Sequence, residues 1–197
     1  MANSEARALM VAAWATRRSS LDKPADEQLN LMTKARDKLV KAVELCRKGT
    51  DPVELAQALH LLANLEHDMR RDDAALTSWL EAVALLRRAD DPLQLAHKVR
   101  HVGDLHRHCG RFEEADICYE EAAALYRKHD KPGSLDFPNA IRPMAMVKER
   151  LGDRKQALAL WQEARGLYAA VDIAGLDSQP AVDECDRHVA RLGSAPS

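Results

Sequence analysis

The sequence predicts an all-α fold, an α-solenoid of stacked helical hairpins, and three observations carry that prediction. Apolar positions recur in one long frame, small residues flank a large one at spacing seven in each second helix, and no segment alternates with the period of a strand. The frame is clearest over Asp91 to Asp130. Forty residues earlier, Leu55, Leu59, Leu62, Leu65 and Met69 stand where Leu95, Val99, Val102, Leu105 and Cys109 stand in this stretch; forty-two later, Phe137, Ile141, Met144, Val147 and Leu151 return. Units of this kind bury their apolar faces only by stacking on one another.

In chain order, residues 1–50 are expected to hold N-terminal helices with an incomplete leading repeat. Asn3 to Ser19 places Leu9, Met10, Ala13 and Trp14 at helical spacing. The helix from Pro24 to Arg47 carries one stripe through Leu29, Met32, Ala35, Leu39, Ala42, Val43 and Cys46. Residues 51–171 are read as three hairpins: 51–90, 91–132 and 133–171. Asp51-Pro52-Val53-Glu54 and Asp91-Pro92-Leu93-Gln94 are one start signal used twice: a capping carboxylate, a proline suited to the first helical position, and Glu or Gln three residues after the cap. Gly110 and Gly152 can close the first helices in the left-handed conformation. Arg70 stands where Gly110 would be, which predicts a slightly different turn there. Pro143 falls inside the third first-helix, which must therefore start after Phe137-Pro138 or bend. The second helices carry Ala75, Trp79, Ala82; Ala115, Tyr119, Ala122; and Ala157, Trp161, Ala164, read as close packing. Residues 172–197 are expected to form a C-terminal capping helix and tail, with Val182, Cys185, Val189 and Leu192 on one face.

Composition bounds the function. With 46% apolar residues the 197-residue chain can build a continuous core, and a net charge of -2 with 30% charged residues gives no global pull toward nucleic acid or membrane. No apolar run reaches the roughly 20 residues of a membrane span. The patch from Ala8 to Ala15 lacks a basic lead-in and does not read as a signal peptide. Cys46, Cys109, Cys118 and Cys185 are widely spaced with no CxxC pair, and are read as buried reduced thiols of a cytoplasmic protein. No GxSxG, HExxH or phosphate-cradling glycine loop is present, so no catalytic residue and no cofactor are assigned and the chain is read as a non-enzyme.

The middle unit resembles a tetratricopeptide repeat (TPR): Val99, Val102-Gly103, Gly110, Phe112, Ala115, Tyr119 and Ala122 fall on that family's positions. Leu59, Leu62-Ala63, Ala75, Trp79 and Ala82 match in the preceding unit; Ile141, Met144-Ala145, Gly152, Ala157, Trp161 and Ala164 match in the following one. The resemblance covers about Pro52 to Ala170, with a period near 40 rather than 34 and hence longer helices. It implies a right-handed superhelix whose first helices line a concave groove that binds peptides.

On that mapping the groove carries Gln57, His60, Asn64, His67 and Asp68, then His97, Arg100, His101, Asp104, Arg107 and His108, then Asn139, Arg142, Met146, Glu149 and Arg150. Five of the eight histidines and four arginines against three carboxylates make it more basic than the whole chain. The expected function is a non-catalytic adaptor that binds a protein or peptide segment with acidic groups. Arg100 and Arg142 would act as forked donors to carboxylate and Asn64 would hold peptide backbone. One alternative is a small-ligand or metal site in the same groove: His97, His101, Asp104 and His108 lie at offsets of four, seven and eleven, along one helical stripe, and imidazole with carboxylate suits zinc or nickel. Another is self-association, a homodimer formed through the Trp14 helix if that helix does not fold back on the chain.

Overall fold

The computed structural model describes residues 2–129, 133–171, 173 and 177–194. These residues form α1 (Ala2–Ser20), α2 (Ala25–Arg47), α3 (Pro52–Asp68), α4 (Asp72–Leu86), α5 (Pro92–His108), α6 (Phe112–His129), α7 (Pro138–Arg150), α8 (Arg154–Ala169) and α9 (Gln179–Ser194), with no strand among them. They divide into two compact units, Met1–Asp91 and Pro92–Ser197.

In the first unit α1 folds back on α2, and α3 on α4, as helical hairpins. Lys38 Nζ donates to Thr16 Oγ1 at 2.8 Å, and Lys41 pairs with Glu5 at 2.9 Å, so α1 is the first helix of a hairpin that the repeat frame does not reveal. Burial of Met10, Ala13, Leu39, Ala42, Leu59, Leu65, Trp79 and Leu86 makes the core. The α2 stripe is buried only from Met32 onward; Leu29 is 58% exposed. Helical period identifies a face, not how far the neighbouring helix extends along it.

Asp51 caps α3 as expected, accepting from the backbone N–H of Val53 (2.9 Å) and Glu54 (3.2 Å). The Glu54 side chain meets Arg7 of α1 at 2.6 Å. The cap therefore fixes where α3 begins while Glu54 ties two hairpins together.

The turn between α3 and α4 differs from the other two only slightly, in φ, and keeps their bonding. Arg70 sits at φ 61°, beside Gly110 at 75° and Gly152 at 81° in the other two turns. All three close with the same bond from the residue after the left-handed position: Arg71 N–H to Glu66 C=O, Arg111 to His106, and Asp153 to Lys148, at 2.8–2.9 Å. Backbone hydrogen bonding holds the turn even where the side chain disfavours it.

In the second unit α5–α6 and α7–α8 are hairpins and α9 packs on α8. Tyr119, Ile141, Val147, Trp161, Tyr168, Cys185 and Leu192 belong to one buried cluster. A Cβ on Gly103 would lie 3.1 Å from the Tyr119 ring, so the missing side chain lets α6 approach α5. Pro143 lies within α7, and α7 starts late, at Pro138, giving 13 residues against 17 in α3 and α5. Lys148, buried, reaches from α7 to Asp116 (2.6 Å) and Glu120 (2.9 Å) of α6. The cysteine expectation needs correction: Cys46 and Cys185 are buried, but Cys118 is only half-buried, and Cys109 follows the last residue of α5 and is exposed. The frame aligns it with apolar positions, yet the helix ends one residue short of covering it.

Candidate functional site

The first helices present the predicted polar residues, and most of these are already engaged. In the first unit Trp79 Nε1 donates to His60 Nδ1 at 3.1 Å. Its other ring nitrogen, Nε2, lies 3.0 Å from the Asn64 side-chain amide nitrogen. His60 is buried and anchors Trp79. His67 Nδ1 lies 2.7 Å from Asp72 Oδ1, its ring 6.1 Å from that of Trp79. Asp68 pairs with Arg17 at 2.5 Å.

In the second unit Asp104 is the centre of a cluster on α5. Arg100 Nη1 donates to it at 2.9 Å and Tyr119 Oη at 2.7 Å, while His101 Nδ1 stands 3.7 Å away. Burial pushes the Tyr119 hydroxyl far above its ordinary pKa, and the Asp104 charge adds to that, so it stays a donor. Of the four residues considered for metal, His97 and His101 have ring centroids 4.8 Å apart. Asp104 serves Arg100 and Tyr119, and His108 turns to Arg107 at 3.0 Å. His97 also faces Asp136 at 3.6 Å, and hydrogen bonding from His97 holds the Asp136 carboxyl below its ordinary value against the opposing effect of burial. The two expected anion forks are partnered within the chain: Arg100 by Asp104, and Arg142 by Glu184 of α9 at 3.5 Å. Asn139 Oδ1 accepts from Tyr168 Oη at 2.7 Å.

A pocket of about 510 Å³ lies where α5 and α7 end, lined by Arg107, His108, Phe112, Met146, Glu149, Arg150 and His188. Arg107 Nε donates to Tyr119 Oη at 3.3 Å, and the Arg150 guanidinium stands 5.0 Å over the Phe112 ring. Among the described residues neither meets a carboxylate. The pocket's own acid is taken: Glu149 accepts from Trp161 Nε1 at 2.6 Å, from His188 Nδ1 at 2.7 Å and from Arg191.

Phe112 as pocket wall, and His188 and Arg191 as part of the site, escaped the sequence reading. The signal for His188 was available: it shares the stripe of Cys185 and Leu192, which places it inward, and its ring stacks on Trp161 with centroids 4.0 Å apart. What it would meet there depends on how α9 docks, which spacing does not encode.

No protein-family model matches the chain, and no curated protein sequence does. Solved structures do. BtubC (BKLC) from P. vanneervenii aligns with a TM-score of 0.69 at 15% identity, over 100% of this chain and 94% of that one. A putative kinesin light chain from Podosopora anserina with nearly identical TPR-like repeats aligns with a TM-score of 0.72 at 16% identity, over 95% and 86%. Aspartyl phosphate phosphatase F from Bacillus subtilis gives 0.76 at 15% identity, over 100% of this chain and 47% of that one, so this chain spans about half its length. The fold is thus that of the TPR-like helical-repeat proteins, as the middle unit's residues imply; at these identities the likeness speaks for the fold alone.

Proposed function

We propose that this chain is a non-catalytic protein-interaction module that binds an acidic segment of a partner protein on the face formed by its first helices. The observation that carries the reading is the pair Arg107 and Arg150, two guanidinium groups on one pocket with no carboxylate partner among the described residues. Guanidinium groups favour forked contacts to carboxylate, and the neighbouring Phe112 and Met146 offer apolar surface. Arg100, His101, His97, His108, Asn139 and Arg142 belong to the recognition face of the second unit, and Asn64 and His67 are the candidates on the first helix α3 of the first unit. Among the described residues no helix is long and apolar enough to cross a membrane.

Selection from an unbiased displayed-peptide library tests the reading. Enriched peptides are expected to carry Asp or Glu, to lose affinity as salt rises, and to bind the Arg107→Glu, Arg150→Glu variant at least about tenfold more weakly. Enrichment of peptides without acids, or equal binding by the variant, would refute it.

A second reading is self-association: contrary to the condition set from the sequence, α1 folds back on α2, yet Val11 and Trp14 remain 70% and 48% exposed on it. Sedimentation over a concentration series, native against Trp14→Ser, distinguishes it: a dimer that the substitution dissolves supports it, and a monomer at every concentration ends it.

A further inference from the structure

The anion that the α5–α7 pocket suits best is more highly charged than a carboxylate. Arg107 and Arg150 line it without acidic partners, and the charge of Glu149 is offset by Arg191, so the lining leaves an excess of two guanidinium charges. The remaining acids nearby do not cancel them. Asp104 is held by Arg100 and Tyr119, while Glu113 and Glu114, which follow Phe112, are exposed and do not line the pocket. His108 and His188 add imidazole groups to the wall, although His188 is turned toward Glu149. The walls are not uniformly polar: the Phe112 ring, half-buried under Arg150, and the Met146 side chain form an apolar flank.

From this we propose that the pocket is a phosphomonoester site, taking a phosphorylated group carried on an apolar or aromatic stem. The inference rests on the reading of this pocket as the anion-binding part of the recognition face, and narrows it. A carboxylate balances one guanidinium. A phosphomonoester carries close to two negative charges at neutral pH and three acceptor oxygens, which matches two forked cations with imidazoles beside them. The volume of about 510 Å³ is that of a small-molecule site and leaves room for a ring against Phe112 and Met146. The same chemistry is found on a phosphorylated side chain of a protein and on a free aryl or alkyl phosphate.

Titration of the full chain, followed by the Met146 methyl resonance at pH 7.5 and low salt, tests this with phenyl phosphate, benzoate, inorganic phosphate and a phosphotyrosine tripeptide. Phenyl phosphate is expected to shift Met146 and bind about tenfold more tightly than benzoate, and more tightly than inorganic phosphate, which lacks the stem. Arg107→Ala and Arg150→Ala should each weaken it by about tenfold, with helical circular dichroism unchanged; Arg150→Lys, which keeps the charge and loses the fork, should fall between. Tighter binding of the tripeptide places the ester on a protein segment, and equal binding places it on a free molecule; either supports the site. Benzoate binding as tightly as phenyl phosphate, still dependent on both arginines, would overturn the phosphoryl assignment and leave the acidic-segment reading standing. Silence of Met146 toward every probe, or binding indifferent to both arginines, overturns the assignment outright, and the peptide selection then decides the broader reading by itself.

Discussion

Arg70 and Gly110 hold equivalent positions in two helix-closing turns, at φ 61° and 75°, and only the glycine is free of the steric cost of that conformation. Arg70→Gly is therefore expected to stabilise the chain by about 1 kcal/mol, and Gly110→Ala to destabilise it by a similar amount. Urea unfolding followed by circular dichroism measures both, and opposite signs at the two positions are the expected result.

Trp79 fills the first unit's core at 2% exposure and donates to His60. Its replacement by alanine should cost roughly 3 to 5 kcal/mol. Trp79→Phe keeps most of the volume but leaves His60 Nδ1 without this donor, for a smaller loss of about 1 kcal/mol. A urea midpoint unmoved by Trp79→Ala would remove the tryptophan from the core.

Glu149 joins α7, α8 and α9. Burial raises its pKa, but donation from Arg191, Trp161 and His188 outweighs burial and holds the carboxyl below its ordinary value of 4.5. A carboxyl depressed in the folded state contributes stability above its unfolded pKa and loses that contribution as pH falls through the folded value. The attachment of α9 should hence weaken as the solution is taken below about pH 4.5, visible as movement of the α9 amide resonances toward coil positions. Glu149→Gln should show part of that movement at neutral pH; resonances identical to native at neutral pH would contradict the role given to this carboxylate.

Three of the four thiols contrast in environment. Burial pushes the Cys185 thiol up to about 11 and also raises Cys46, whereas Cys109 is exposed. Alkylation with iodoacetamide at pH 8, read by peptide mass, should modify Cys109 first and leave Cys46 and Cys185 intact until denaturant is added.

Periodicity was enough to read the hairpins, because burying one stripe per helix against a neighbour is a local requirement that each unit repeats. Thus Ala75, Trp79 and Ala82, and their counterparts around Tyr119 and Trp161, were legible as core, and Asp51 as a cap. The site was legible as a face but not as a pocket. His60 reads as a groove histidine on spacing alone, yet it is buried because Trp79 needs an acceptor at that depth. Arg100 and Arg142 read as free anion donors, and both are partnered, one within its own helix and one by α9.

The amino-acid order by itself determined the helices, the pairing of α3 with α4, α5 with α6 and α7 with α8, and the side of each helix that turns inward. Tertiary structure alone decided which cations lack an acid. Ion pairing depends on distances of a few ångströms between residues far apart in the chain, and docking of α9 brought Glu184 to Arg142 and Arg191 to Glu149 while Arg107 and Arg150 were left facing a pocket.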